Sequence, residues 1–188
     1  HAKNYLINDK SDELISLYNM VKNQDKEFFE KLKAFDHNWK IISNVVDNHS
    51  DYLITLYCSY KNDIYNEQEL NDEITEFVLV NADEFNGLLS RSFNCQIENF
   101  VNELIKSIRN KMIRMKRLEK SKGILCQEDL IANIECSLKT AFYTHFRYLI
   151  NHKDEFGISN AFATAIYFFI RQTCYSSMFR YNKNGQFN

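Results

Sequence analysis

No proline occurs anywhere in this 188-residue chain, and glycine occurs only four times, at Gly87, Gly123, Gly157 and Gly185. Proline removes a helical donor and clashes with the preceding turn, while glycine frees the backbone for tight reversals, so a chain nearly without either leaves its helices uninterrupted. The expectation is a mainly α protein. At this length, 45% apolar and 14% aromatic residues suffice to bury the core of one good-sized domain.

Periodicity fills in the order of elements. Residues 4–8, NYLIN, read as a short strand passing through Asp9 towards Ser11, which is placed to cap the helix DELISLYNMVK. A strand running through an acidic residue into a helix is a piece of an α/β sheet, yet no second strand follows to satisfy its backbone. The chain is therefore expected to be part of something larger. DKEFFEKLKAF, SDYLITLYCSYKNDIY and NEQELNDEITEFVLV read as successive amphipathic helices, and residues 81–94 as a loop with room for one helical turn. A further helix is expected from Glu128 to about Lys153, and Ser159 caps a last one, NAFATAIYFFIRQTC.

Net charge is only -2, but its distribution is lopsided. Residues 1–105 hold 19 acidic and 9 basic side chains, residues 106–188 hold 6 and 14, so the two parts carry -10 and +8. A basic second half suits a polyanionic partner. Its densest stretch is IKSIRNKMIRMKRLEKSK, residues 105–122, with Ile105, Ile108, Met112, Met115 and Leu118 on one stripe and eight cations around the rest. Arg109, Arg114 and Arg117 are candidate phosphate contacts, since such a helix can lie along a nucleic-acid backbone and displace its counterions. A solvated or partner-binding helix face reads equally well. The Met112 and Met115 pair reads as core packing.

Other chemistry is sparse. The five cysteines, Cys58, Cys95, Cys126, Cys136 and Cys174, show no ligand spacing and read as reduced core thiols of a cytoplasmic protein, with no metal site. No apolar run reaches membrane-spanning length, so no membrane partner is expected. G-x-G, P-loop, G-x-S-x-G and H-E-x-x-H motifs are missing, leaving no visible catalytic residue. Arg147 and His152 match the Arg-x4-His spacing of the helical HEPN ribonucleases, a resemblance that would make them an RNA-cutting pair. His145 and His152 read otherwise as structural histidines.

The last stretch, RQTCYSSMFRYNKNGQFN, is the most specific. Asn184-Gly185 favours the positive φ angles of a hairpin turn, and the flanking Arg, Asn, Met and aromatic residues suit base edges, phosphates and stacked bases. TCYSSMFRYNKNGQFN resembles a segment of the Dam-like DNA adenine-N6 methyltransferases, commonly R-T-C-F-N-G-L-Y-R-x-N-x-x-G-x-F-N. YLINDKSDELISLYNMVK, residues 5–22, is similar to the strand and helix that follow the same family's cofactor loop, where D-x-N-x-x-L-I-x-x-Y is usual. Gln172 stands where many members have Arg, and Ser176-Ser177 where Asn-Gly is usual.

The resemblance implies a helical target-recognition and insert region, flanked by a short strand of a Rossmann-like methyltransferase sheet and the start of a β-hairpin. Residues 1–24 would be the strand and helix of the methyltransferase core, residues 25–158 the helical region, and residues 159–188 a helix with a DNA-binding hairpin. Asp9 would bind the ribose of S-adenosyl-L-methionine, as a carboxylate binds a dinucleotide ribose. Tyr175 and Met178 would enter the base stack, Ser176, Arg180, Asn182 and Lys183 would meet bases or phosphates, and Gly185 would form the turn. The family's F-x-G-x-G loop and catalytic D-P-P-Y are not among these residues. The implied partners are double-stranded DNA, whose target adenine is flipped from the stack, and a restriction endonuclease counterpart.

Overall fold

The computed structural model describes residues 9–89, 93–174, 181–183 and 185–187. It is mainly helical, with seven helices and no strand among the described residues: α1 (Asp12–Lys22), α2 (Lys26–Lys61), α3 (Glu67–Val80), α4 (Ala82–Gly87), α5 (Ile97–Lys122), α6 (Gln127–Asn151) and α7 (Asn160–Thr173). The strand expected at residues 4–8 lies outside the described residues. Two compact units divide the chain, residues 1–35 with 146–188 and residues 36–145.

In the first unit, α1 begins where expected. The Ser11 hydroxyl accepts from the Leu14 amide at 3.2 Å, and Asp12 and Glu13 in the first turn suit the positive end of the helix. α1 packs on α7, which Ser159 caps by accepting from the Phe162 amide at 3.1 Å. Residues 161–167 of α7 are buried without a break, so the helix is enclosed on all sides. Small Ala161, Ala163 and Ala165 let neighbouring groups come close, while Phe35 stacks on Phe169 at 4.6 Å and meets Phe146 edge-on at 4.6 Å. Fully burying each such side chain is worth about 1.5–3 kcal/mol.

The second unit is built on residues 36–61 of α2 with α3, α4, α5 and most of α6. Ile42, Val46, Leu53, Tyr57, Leu70, Ile74, Phe100, Leu104, Met112 and Phe142 are among its buried residues. α3 starts in a capping box: the Asn66 side chain accepts from the Glu69 amide at 3.1 Å, and the Glu69 carboxylate accepts from the Asn66 amide at 2.8 Å. It packs along α5.

Two expectations need correction. DKEFFEKLKAF and SDYLITLYCSYKNDIY are not separate helices but parts of α2, which runs 36 residues because nothing between them breaks the hydrogen-bond ladder. The cysteines are not core residues: all five are free, but Cys126 and Cys136 are exposed and the other three half-buried.

The scarcity of glycine is met at helix ends by other residues. α2 closes with the Ile64 amide donating to Ser59 O at 3.0 Å and the Asp63 amide to Tyr60 O at 3.2 Å, with Asp63 left-handed at φ 60°. Gln24, at φ 50°, ends α1 in the same way, through Asp25 N to Met20 O at 3.0 Å. This double bond pattern usually recruits glycine at the left-handed position.

Candidate nucleic-acid interface

α5 is amphipathic for an identifiable reason. Phe100, Leu104, Ile108, Met112 and Met115 recur at helical spacing and are buried, so the opposite side must face water. The buried stripe runs through Leu104, not Ile105, which is half-buried together with Leu118. Met112 and Met115 are core residues as expected. Asn102, Lys106, Asn110, Arg114, Arg117 and Ser121 then line one exposed face in steps of three and four, with Lys120 and Lys122 exposed at its end.

The eight cations of this stretch are not equivalent. Lys116 turns inward, donating to the Tyr60 carbonyl at 2.7 Å and to Asp63 at 2.6 Å, with its ammonium 4.3 Å from the Tyr60 ring centroid. Lys111 donates to Cys136 Sγ at 3.3 Å, and Lys106 pairs with Glu103 at 2.9 Å. Arg109 is half-buried, and its enclosed Nε makes no hydrogen bond. Arg114 and Arg117 face solvent.

Glu119, the one carboxylate among residues 105–122, is withdrawn from that face. Its side chain is 5% exposed and accepts from Tyr57 Oη at 2.7 Å, Lys61 Nζ at 2.8 Å and the Leu125 amide at 2.8 Å. Burial works against its ionised form, but the three donors outweigh burial and hold the carboxyl below its ordinary 4.5. It stays an anion paired with Lys61, so it does not offset the exposed arginines.

The end of the chain supplies a second candidate surface. Tyr175, Ser176, Met178 and Arg180 lie outside the described residues, whereas Asn182, Lys183 and Gly185 lie within them. Tyr181 and Phe187 form an antiparallel bridge. Between them the Gly185 amide donates to Asn182 O at 3.0 Å and the Asn182 amide to Gln186 O at 2.8 Å. Gly185 has φ +76°, a conformation that costs glycine little and other residues more. Asn182 stiffens the turn, its Oδ1 accepting from the Gln186 amide and its Nδ2 donating to Gln186 Oε1, both at 3.0 Å. Tyr181, Asn182, Lys183 and Gly185 are exposed.

No family model, curated protein or solved structure matches this chain.

The remaining sequence candidates sit as follows. Asp9 is exposed, and its Oδ1 accepts from the Ser11 amide at 2.9 Å, so the carboxylate braces the turn into α1. Arg147 and His152, five positions apart, point about 140° from each other if helical geometry is continued past α6. His152 Nδ1 contacts Tyr148 O at 2.9 Å and its ring lies 4.4 Å from the Tyr148 ring. His145 is fully buried beside Phe100, with Nδ1 3.0 Å from the Asn99 amide nitrogen, and burial lowers its pKa to about 4.

A cleft of about 310 Å³ opens in the first unit, with Glu13, Ser16, Asn151, Thr164, Tyr167 and Gln186 in its wall. Among the described residues no three side chains are grouped to hold a metal ion, and no helix is long and apolar enough to cross a membrane. Sequence reading overlooked Asn151, whose side chain bonds the main chain of Phe187. An asparagine in the last turn of a helix carries no sign of a partner 36 positions away.

Proposed function

We propose that this chain supplies DNA target recognition to a cytoplasmic, S-adenosyl-L-methionine-dependent DNA adenine-N6 methyltransferase. The observation that carries this reading is the exposure of Asn182, Lys183 and Gly185, braced by bonds from Asn182 to Gly185 and Gln186, in the segment whose sequence resembles that family. The exposed cations at the C-terminal end of α5, Arg114, Arg117, Lys120 and Lys122, with Glu119 withdrawn from among them, support it independently. Arg114 and Arg117 would neutralise phosphates without regard to sequence, while the ribbon from Tyr175 to Gly185 would meet bases and the nearest phosphates. Residues 25–158 would be the helical recognition region of that enzyme, and a restriction endonuclease its counterpart.

S-adenosyl-L-methionine supplies the methyl group in such enzymes. The described residues offer it one carboxylate, Asp9, already engaged with the Ser11 amide, and no glycine-rich cradle. They do not fit the whole group by themselves, and no step of the proposal runs through it.

Binding of duplex DNA over a salt series tests the reading. The 188-residue chain is expected to bind adenine-containing duplex with an affinity that falls steeply with salt. The double variant Arg114→Ala/Arg117→Ala should weaken binding to all sequences alike and reduce the log–log salt slope by about 1.8, two phosphate contacts at roughly 0.9 each. Arg180→Ala should instead weaken the preferred sequence more than the others. Absence of salt-dependent duplex binding, or equal affinity of the wild type and all these variants, would rule the assignment out.

A further inference from the structure

We infer that Asn151 is the positioning residue of the C-terminal ribbon, the group that fixes the direction in which its exposed turn points. The inference rests on the DNA-binding reading above and adds to it a residue outside the ribbon. Asn151 is the last residue of α6 and belongs to the same compact unit as residues 181–187. Its Nδ2 donates to Phe187 O at 2.9 Å, and its Oδ1 accepts from the Phe187 amide at 2.9 Å. In extended chain, the N–H and C=O of one residue point to the same side, where a neighbouring strand would normally bond both. A primary amide presents a donor and an acceptor side by side and can replace that strand for one residue. Alanine offers neither group, and leucine has the same branched shape without the polar atoms.

The anchor acts on a group, Asn182, Gly185 and Gln186, that is already bonded within itself. Main-chain and side-chain bonds between Asn182 and Gln186 close the turn but stay inside the ribbon. Phe187 is the point of attachment: the residue is 9% exposed, and its ring lies 4.8 Å from the Tyr181 ring and 6.3 Å from that of Tyr167 of α7. Ring contacts set depth but tolerate rotation, whereas two parallel hydrogen bonds define an orientation. Asn151 therefore converts a closed turn into a directed one. Asn182, Lys183 and Gly185 are presented to a duplex in one pose, and the entropy of finding that pose is lost on folding, before binding.

The test compares wild type with Asn151→Leu and Asn151→Ala for duplex binding over a salt series, hydrogen exchange at the Phe187 amide, and helical circular dichroism. Both variants should keep the helical signal, exchange the Phe187 amide faster, and bind about ten-fold more weakly with an unchanged salt slope, a pattern that loss of phosphate contacts would not give. Faster exchange with wild-type affinity would overturn the positioning role. Unchanged exchange would show that the anchor is not made. If the wild type itself binds no duplex, the DNA reading fails, and exchange at Phe187 still decides whether Asn151 holds the ribbon. Should Asn151→Ala lose helix, Asn151→Leu, which retains the side-chain volume, carries the comparison.

Discussion

Acidification from pH 7 to about pH 4 is expected to remove about 3 kcal/mol of stability through His145 alone, from a pKa falling by roughly two and a half units at 1.36 kcal/mol each. The imidazole is fully buried against Phe100, and Nδ1 faces the amide nitrogen assigned to Asn99, a donor that suits the neutral ring and opposes a protonated one. The sign follows from which state binds the proton. The unfolded chain takes up a proton as pH drops below its ordinary 6.5, whereas the folded chain resists until about 4. Stability is therefore complete above pH 6.5, declines between 6.5 and 4, and changes no further from this group below 4. Urea unfolding at a series of pH values reads the slope directly. His145→Gln, which cannot take up a proton there, should flatten it over that window while carboxylates still contribute below it. A slope equal to wild type would mean that His145 titrates normally in the fold.

Glu119→Ala is expected to cost about 1–3 kcal/mol, the range for leaving enclosed hydrogen-bonding groups without their partner, because the Lys61 end of the pair still reaches water. Three donors lose their acceptor at once: the phenol of fully buried Tyr57, the Lys61 ammonium and the Leu125 amide. Burial followed by the Glu119 bond already drives the Tyr57 phenol towards its protonated form, so in Glu119→Ala that proton has no acceptor in place. Glu119→Gln should cost less, because the amide oxygen still accepts while the charge opposite Lys61 is gone. The wild-type carboxyl is held below 4.5, so its contribution is present above the unfolded value and lost as pH falls through the folded one. Thermal unfolding of both variants at pH 7 ranks them. Equal stability of wild type and Glu119→Ala would mean that water replaces the carboxylate at no cost.

The helices were legible because their signals are local. Ser11 and Ser159 announce helix starts through a short side-chain bond to the third amide onward, and the burial of Met112 and Met115 follows from spacing alone. Helix ends were less legible. Asp63 and Gln24 adopt the left-handed backbone that glycine usually marks, and the continuity of α2 between Phe35 and Ser50 depends on buried Ile42, Val45 and Val46, which tertiary packing supplies.

The candidate interface was legible as composition but not as geometry. Counting eight cations around α5 could not separate inward-turned Lys116 from exposed Arg114, because the distinction lies in Asp63 and the Tyr60 carbonyl, more than fifty positions away. Nor could it foresee that Glu119 would be hidden. The amide of Asn151 that engages Phe187 is a long-range contact with no local trace.

The pairing of α3 with α5 makes the second unit an electric dipole. Exposed Glu67, Glu69, Asp72 and Glu76 belong to one helix, and exposed Arg114, Arg117, Lys120 and Lys122 to the helix packed along it. With a net charge of only -2, little overall repulsion keeps copies apart, and the negative flank of one molecule complements the positive flank of the next. Association between copies is therefore expected to be strongest in dilute buffer and to fall as salt is added.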